Sequence, residues 1–201
     1  EEKKEKENIA KALSVNDWLL FNNYHVHQAV FPHIIWKDEE KTKPGLYIKT
    51  LELPGVIKLL FKLFKYWPVA QFLGKIGFGS LVSKGNASTY ASASTFVAIS
   101  TQDSTKLSYL SVGRVMQKLW LEATILGMSI QPIVGAVYLY QRLKEDEERM
   151  FSKKDRMKLE DSAAIMQKRF DIPFDRPTMI LRVGYGNEPS AKSFKRSPSI
   201  Q

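Results

Sequence analysis

The chain has 201 residues, 44% of them hydrophobic and 25% charged, with a formal net charge of +9; that length and balance suit one domain with a sizeable core. Cysteine is absent, which excludes disulfides, thiolate catalysis and thiolate-ligated metal. The positive charge favours anionic partners in general, yet no helix-turn-helix, aromatic RNA-binding pattern or zinc spacing accompanies it, so nucleic acid is not expected. No apolar run approaches the roughly twenty residues of a membrane span and no secretory signal is visible, which makes a cytoplasmic protein the expectation.

Residues 1–23 begin as a solvated charged segment that becomes a first helix; the first residue is not methionine, so either a leader was removed or the chain is an excerpt of a longer one. In the next stretch Trp18, Leu19, Leu20, Phe21, Val26, Val30 and Phe31 predict a core-directed helix interrupted at Pro32. His25, His27 and His33 invite a metal reading, but positions 25 and 27 diverge on a helix and no third ligand follows at helical spacing, so no metal is expected. Residues 45–53 read as an extended connector.

Residues 54–84 carry two readings. Pro54 can open a helix, in which Val56, Ile57, Leu59, Leu60, Phe61, Leu63 and Phe64 give apolar cover while Lys58, Lys62 and Lys65 fall along one face. Either the helix packs on the domain with its lysines in water, or residues 54–67 form a basic amphipathic surface for an anionic membrane or a helix-gripping partner. Residues 86–94, NASTYASAS, read as a loop or helix start. The β-branched and aromatic run at 95–101 predicts a strand, expected to be central.

The most regular stretch follows. Leu107, Leu110, Val112, Val115, Met116, Leu119, Trp120, Ala123 and Leu126 recur at spacings of three and four, the mark of a long helix. Asp103 and Ser104 sit where an N-cap belongs, and Gly127 where a left-handed C-cap belongs. So few polar positions predict a helix covered on more than one side, the spine of the domain and the face of a dimer. After it, Gln131-Pro132-Ile133-Val134-Gly135 is a short extended strip, because Pro132 disfavours helix before it. Helices are predicted at 136–143 and 152–170, the second capped by Ser152. A strand at 177–186 ends in Gly184-Tyr185-Gly186, and a polar tail with Lys192, Lys195 and Arg196 closes the chain.

Three passages together resemble the nitroreductase family of flavoproteins. The strip Pro132-Ile133-Val134-Gly135 is similar to that family's P-I-E-G, with Val134 in place of the acidic residue. Gly184-Tyr185, Pro189, Lys195-Arg196 and Pro198 keep the order of its penultimate strand, proline loop and basic pair before a proline. The passage from His25 through Trp36 to the GLYIKTLELP run resembles a divergent branch of the family. The likeness spans about residues 24–198, and the family's N-terminal arginine- and serine-rich phosphate-binding element has no counterpart in residues 1–18.

The resemblance implies an α+β fold, a small and mainly antiparallel sheet packed between helices around the long central helix. Residues 24–201 would form the domain, and 54–84 a lid-like helical excursion. It implies FMN as cofactor, with Gln131, Pro132, Ile133, Val134 and Gly135 against the ring and Lys195 and Arg196 on the phosphate, where a guanidinium grips the dianion by charge-assisted bonds. Gln117 of the long helix would lie near that pocket. It further implies a homodimer with flavin at the subunit interface and hydride transfer from NAD(P)H to an electron-poor acceptor. A flavin-storing relative without catalysis is the alternative within the family; the membrane- or partner-binding module is the alternative outside it.

Overall fold

In the computed structural model, which describes residues 2–53, 55–145 and 150–194 (backbone alone at 55, 56 and 59), the sheet is organised by the last of the described strands. Strand β5 (Thr178–Gly184) lies between β3 (Thr95–Ser100) and β4 (Ser129–Pro132) and is antiparallel to both. The β3 segment was expected at the centre and is instead an edge. The third strand is the Gln131 strip itself, not the 45–53 connector, whose Leu46–Tyr47 (β2) pairs in parallel with Ile34–Ile35 (β1) in a separate two-stranded sheet.

Strand alternation divides the three-stranded sheet into two faces. Phe96 and Ala98 on β3, opposite Arg182 and Ile180 on β5, point toward the main core. That core is made by α1 (Glu2–Leu13), α2 (Val15–Asn22), α8 (Gly135–Glu145) and α9 (Lys153–Phe170), which contribute Leu13, Leu19, Val137, Leu159 and Met166 among others. The opposite face is covered by α7 (Lys106–Ile125). The fold is thus α+β and mostly helical, with a small antiparallel sheet.

The long helix forms as its period predicts, but it is not enclosed. Only the line Ser108, Val112, Met116, Leu119 and Ala123 is turned to the sheet, and Leu107, Leu110, Leu121 and Ile125 are 74%, 60%, 57% and 77% exposed. The core lies on the other side of the sheet, so among the described residues the helix is covered on one side alone. Its N-cap is Thr105, whose side chain accepts from the Ser108 N–H; Asp103 supports it from outside by accepting the Thr105 N–H. Gly127 takes the left-handed conformation (φ 67°) that ends the helix.

The second apolar cluster gathers around Phe21 at the end of α2. Phe31, Phe61, Phe64 and Phe78 all approach its ring edge-on, with centroids 5.2–6.3 Å away. These come from the segment after α3 (Tyr24–Val30), from α4 (Gly55–Phe64) and from α6 (Phe78–Ala91). Phe61 and Phe64 of α4 therefore face the chain's own core, while Lys62 and Lys65 face water. Pro54 lies outside the described residues. Helix α5 (Trp67–Lys75) joins α4 to α6, which runs alongside α1 and α2.

Two boundaries differ from expectation for identifiable reasons. The helix ends ahead of Pro32, where α3 gives way to a 3-10 turn at Phe31–His33, but it is also broken at Asn23, whose side chain caps α3 by accepting from Val26 N–H at 3.0 Å. Its amide also donates to the Met150 carbonyl and to Asp155 Oδ2. Residues 86–91 continue α6, since Ala87 is buried in its packing although their small polar composition reads as loop. Helix α9 starts with the Ser152–Asp155 capping box and ends at Asp171 in a left-handed turn.

Candidate functional site

Where β4 and β5 run out together, an open cleft of about 310 Å³ forms between them and the end of α6. Its floor is Gln131 and Arg182, which stand directly opposite each other across the β4–β5 ladder. Its walls are Thr89 and Ser92 of α6 and Ser129 of β4, and its rim is Gly184-Tyr185-Gly186. Tyr185 is 78% exposed, an aromatic plane held at the mouth. A second cleft, of about 280 Å³, lies at Glu52, Lys49 and Lys58, where the Ser190 N–H donates to the Glu52 carboxylate at 2.6 Å. The tail itself already satisfies that acid.

The cleft floor belongs to a polar network running into the core. Arg182 Nε donates to Gln131 Oε1 at 2.6 Å, and its Nη1 donates to the Thr89 carbonyl at 2.7 Å. The guanidinium carbon lies 5.6 Å from the centre of the Tyr90 ring, within cation–π range. The Tyr90 hydroxyl donates to Asp17 Oδ2 at 3.0 Å. Burial pushes the Asp17 carboxyl above the usual range, against the lowering effect of hydrogen bonds from Asn86, Tyr90 and Asn16. Burial, with Asp17 beside it, also pushes the Tyr90 phenol up, and desolvation pulls Arg182 down.

The strip residues are distributed unevenly. Gln131 is exposed in the cleft. Pro132 and Val134 are half-buried, and Ile133 is buried in the core with its N–H donating to the Ile180 carbonyl at 2.8 Å. Gly135 opens α8 against Asn16; a Cβ there would stand 2.5 Å from the Asn16 side-chain oxygen. One member of the strip thus reaches the cleft by its side chain, and the others form its structural backing. Lys195 and Arg196 lie outside the described residues.

Arg182, Tyr90 and Asp17 were not singled out from the sequence as site residues. Their signal was present: Arg182 is the one charge inside the apolar run Met179–Val183, and Asp17 interrupts an apolar helix. Gln117 lies on the exposed side of α7, away from the sheet. His27 is fully buried, donating Nε2–H to the Phe64 carbonyl at 2.7 Å and accepting from the Gln28 amide at Nδ1, while His25 and His33 are exposed. Among the described residues no group of three His, Cys, Asp or Glu is placed to hold a metal ion, and no helix is long and apolar enough to cross a membrane.

Comparison with models of known protein families, with curated proteins and with solved structures finds no match.

Proposed function

We propose that this chain is an FMN-dependent oxidoreductase of the nitroreductase type, taking hydride from NAD(P)H and passing it to an electron-poor acceptor such as a nitroaromatic or quinone. One observation supports the reading: Gly184-Tyr185 at the end of β5 and Gln131, which leads into Pro132–Gly135, line one cleft, with Pro132–Gly135 forming its backing. They are some fifty residues apart in sequence and meet only because β4 pairs with β5. When bound, the flavin supplies the hydride chemistry and the protein orients it. In this reading the Gln131–Gly135 backbone lies along the ring, and Lys195 and Arg196 take the phosphate.

A cleft of about 310 Å³ is at the lower end of those that enclose small ligands and is too small to surround a whole flavin nucleotide. The homodimer of this reading uses the outer stripe of helix α7, where Leu107, Leu110, Leu121 and Ile125 have no cover among the described residues.

The test is a visible absorption spectrum of the purified protein, before and after addition of FMN. The reading expects a flavin band that persists through desalting, and NAD(P)H-dependent bleaching with turnover of a nitroaromatic. A colourless protein that retains no added FMN overturns it. Retained flavin without turnover identifies a storage role instead.

A further inference from the structure

Arg182 is a charge without a counter-charge among the described residues. It stands on the core-bearing face of the central strand, half-buried, and among the described residues no carboxylate comes within ion-pair distance of it. Two of its donors meet neutral oxygens, those of Gln131 and the Thr89 carbonyl, and the Tyr90 ring lies beside its guanidinium. Its Nη2 donates to no described residue. The acid of the network, Asp17, is linked to it only through the Tyr90 hydroxyl and ring. A guanidinium cannot shed its proton to escape a poor environment. Holding one partly out of water with neutral partners alone is unfavourable, and an arriving anion removes that penalty.

The rest of the cleft agrees in sign. The Thr89 and Ser92 hydroxyls already donate to carbonyls of their own helix, at Gly85 and Thr89. Ser129, two residues from Gln131 and on the same face of β4, lines the cleft with a hydroxyl that bonds to no described residue. The unused capacity is thus donor capacity, a guanidinium edge and a hydroxyl, beneath the exposed Tyr185 ring. The ligand that complements it carries an oxyanion.

We propose that this cleft binds the phosphate group of a small phosphorylated ligand, with Arg182 Nη2 and Ser129 Oγ as the donors. The inference goes beyond the flavin reading and does not require it, since any phosphorylated metabolite of suitable size presents the same group.

The experiment measures binding of inorganic phosphate to the full chain by calorimetry, and by thermal shift against chloride at matched ionic strength. Wild type, Ser129→Ala, Arg182→Lys and Arg182→Gln are compared, and FMN and riboflavin serve as a second probe pair differing only in the phosphate. Phosphate is expected to stabilise the wild type. Loss of a bond to a charged group weakens binding about ten- to a hundredfold in Arg182→Gln, and Ser129→Ala weakens it about two- to tenfold. The Ser129 side chain is exposed and bonds to no described residue, so that variant stays informative if Arg182→Gln unfolds; Arg182→Lys keeps the charge and retains part of the affinity. Phosphate affinity unchanged in both Ser129→Ala and Arg182→Lys overturns the proposal, as does a wild type that responds to phosphate no more than to chloride. Arg182-dependent phosphate binding with no binding of either flavin supports the proposal while overturning the flavin reading. FMN bound more tightly than riboflavin, with an affinity that Arg182→Gln and Ser129→Ala leave unchanged and no response to inorganic phosphate, overturns the proposal and leaves the flavin reading standing.

Discussion

Leu121→Glu should turn a dimer into a monomer. A leucine or isoleucine gains about 1.5–3 kcal/mol on full burial. The four residues of the outer α7 stripe are 57–77% exposed, so each has about 1–2 kcal/mol still to gain. Eight such side chains across a two-fold interface offer on the order of 8–16 kcal/mol. Association costs about 4–15 kcal/mol in lost freedom, so a micromolar dimer, which needs about 8 kcal/mol, requires a gain near the top of that range and a cost near the bottom of this one. A carboxylate at position 121 removes one contact per copy and must itself be desolvated, twice over by symmetry. The loss exceeds about 4 kcal/mol, or roughly a thousandfold in Kd. Sedimentation equilibrium across the micromolar range reads the change directly. Circular dichroism of the variant should match wild type, because Leu121 contributes little to the fold of one chain. A wild type that sediments as a monomer throughout refutes the reasoning, as does a Leu121→Glu dimer of undiminished affinity.

Further outcomes follow from the core and its buried ionisable groups. Phe21→Ala removes the ring that four others meet edge-on and should cost about 3–5 kcal/mol in denaturant unfolding, with the exposed Phe72→Ala within about 0.5 kcal/mol as the control. His27 is held neutral by burial, its folded value below the ordinary imidazole value of about 6.5. The folded state therefore binds fewer protons than the unfolded one, so this contribution is whole above about pH 6.5 and is lost as pH falls through the folded value; His27→Gln should flatten that limb of a stability–pH curve. Asp17 has the opposite sign, because burial raises its value above the ordinary carboxylate value of about 3.9. Its contribution favours the folded state in acid and declines as pH rises from about 4 through the raised value, and Asp17→Asn should abolish that decline in the same measurement.

Much of the fold was legible because local periodicity is strong where a single face is buried. The helices α7, α8 and α9 and the strands β3 and β5 fall within a few residues of where apolar spacing put them, and Ser152 and Gly127 play the capping parts their chemistry suits. Strand order is a different kind of fact. Nothing local in Thr95–Ser100 says that it is an edge, because the neighbours that decide it lie more than seventy residues away. The period of α7 likewise reports a helix and its apolar content, but not that the core would form on the far side of the sheet and leave most of that surface bare. At the cleft, the strip and the Gly184-Tyr185 turn were recognisable as segments. The Asp17–Tyr90–Arg182 chain was not, since its members come from three distant elements and only their convergence gives them meaning.

The middle strand of the sheet is also the last one a ribosome would deliver. Until Thr178–Gly184 emerges, the hydrogen-bonding edges of Thr95–Ser100 and Ser129–Pro132 that face each other across the gap have no occupant, and such edges recruit strands from other molecules. Nascent chains stalled before residue 178 should therefore be prone to aggregation even with most of their helices made. Synthesis finishes the sheet by insertion, not by growth at a margin, so the closing step of folding is also the one that assembles the Arg182 cleft.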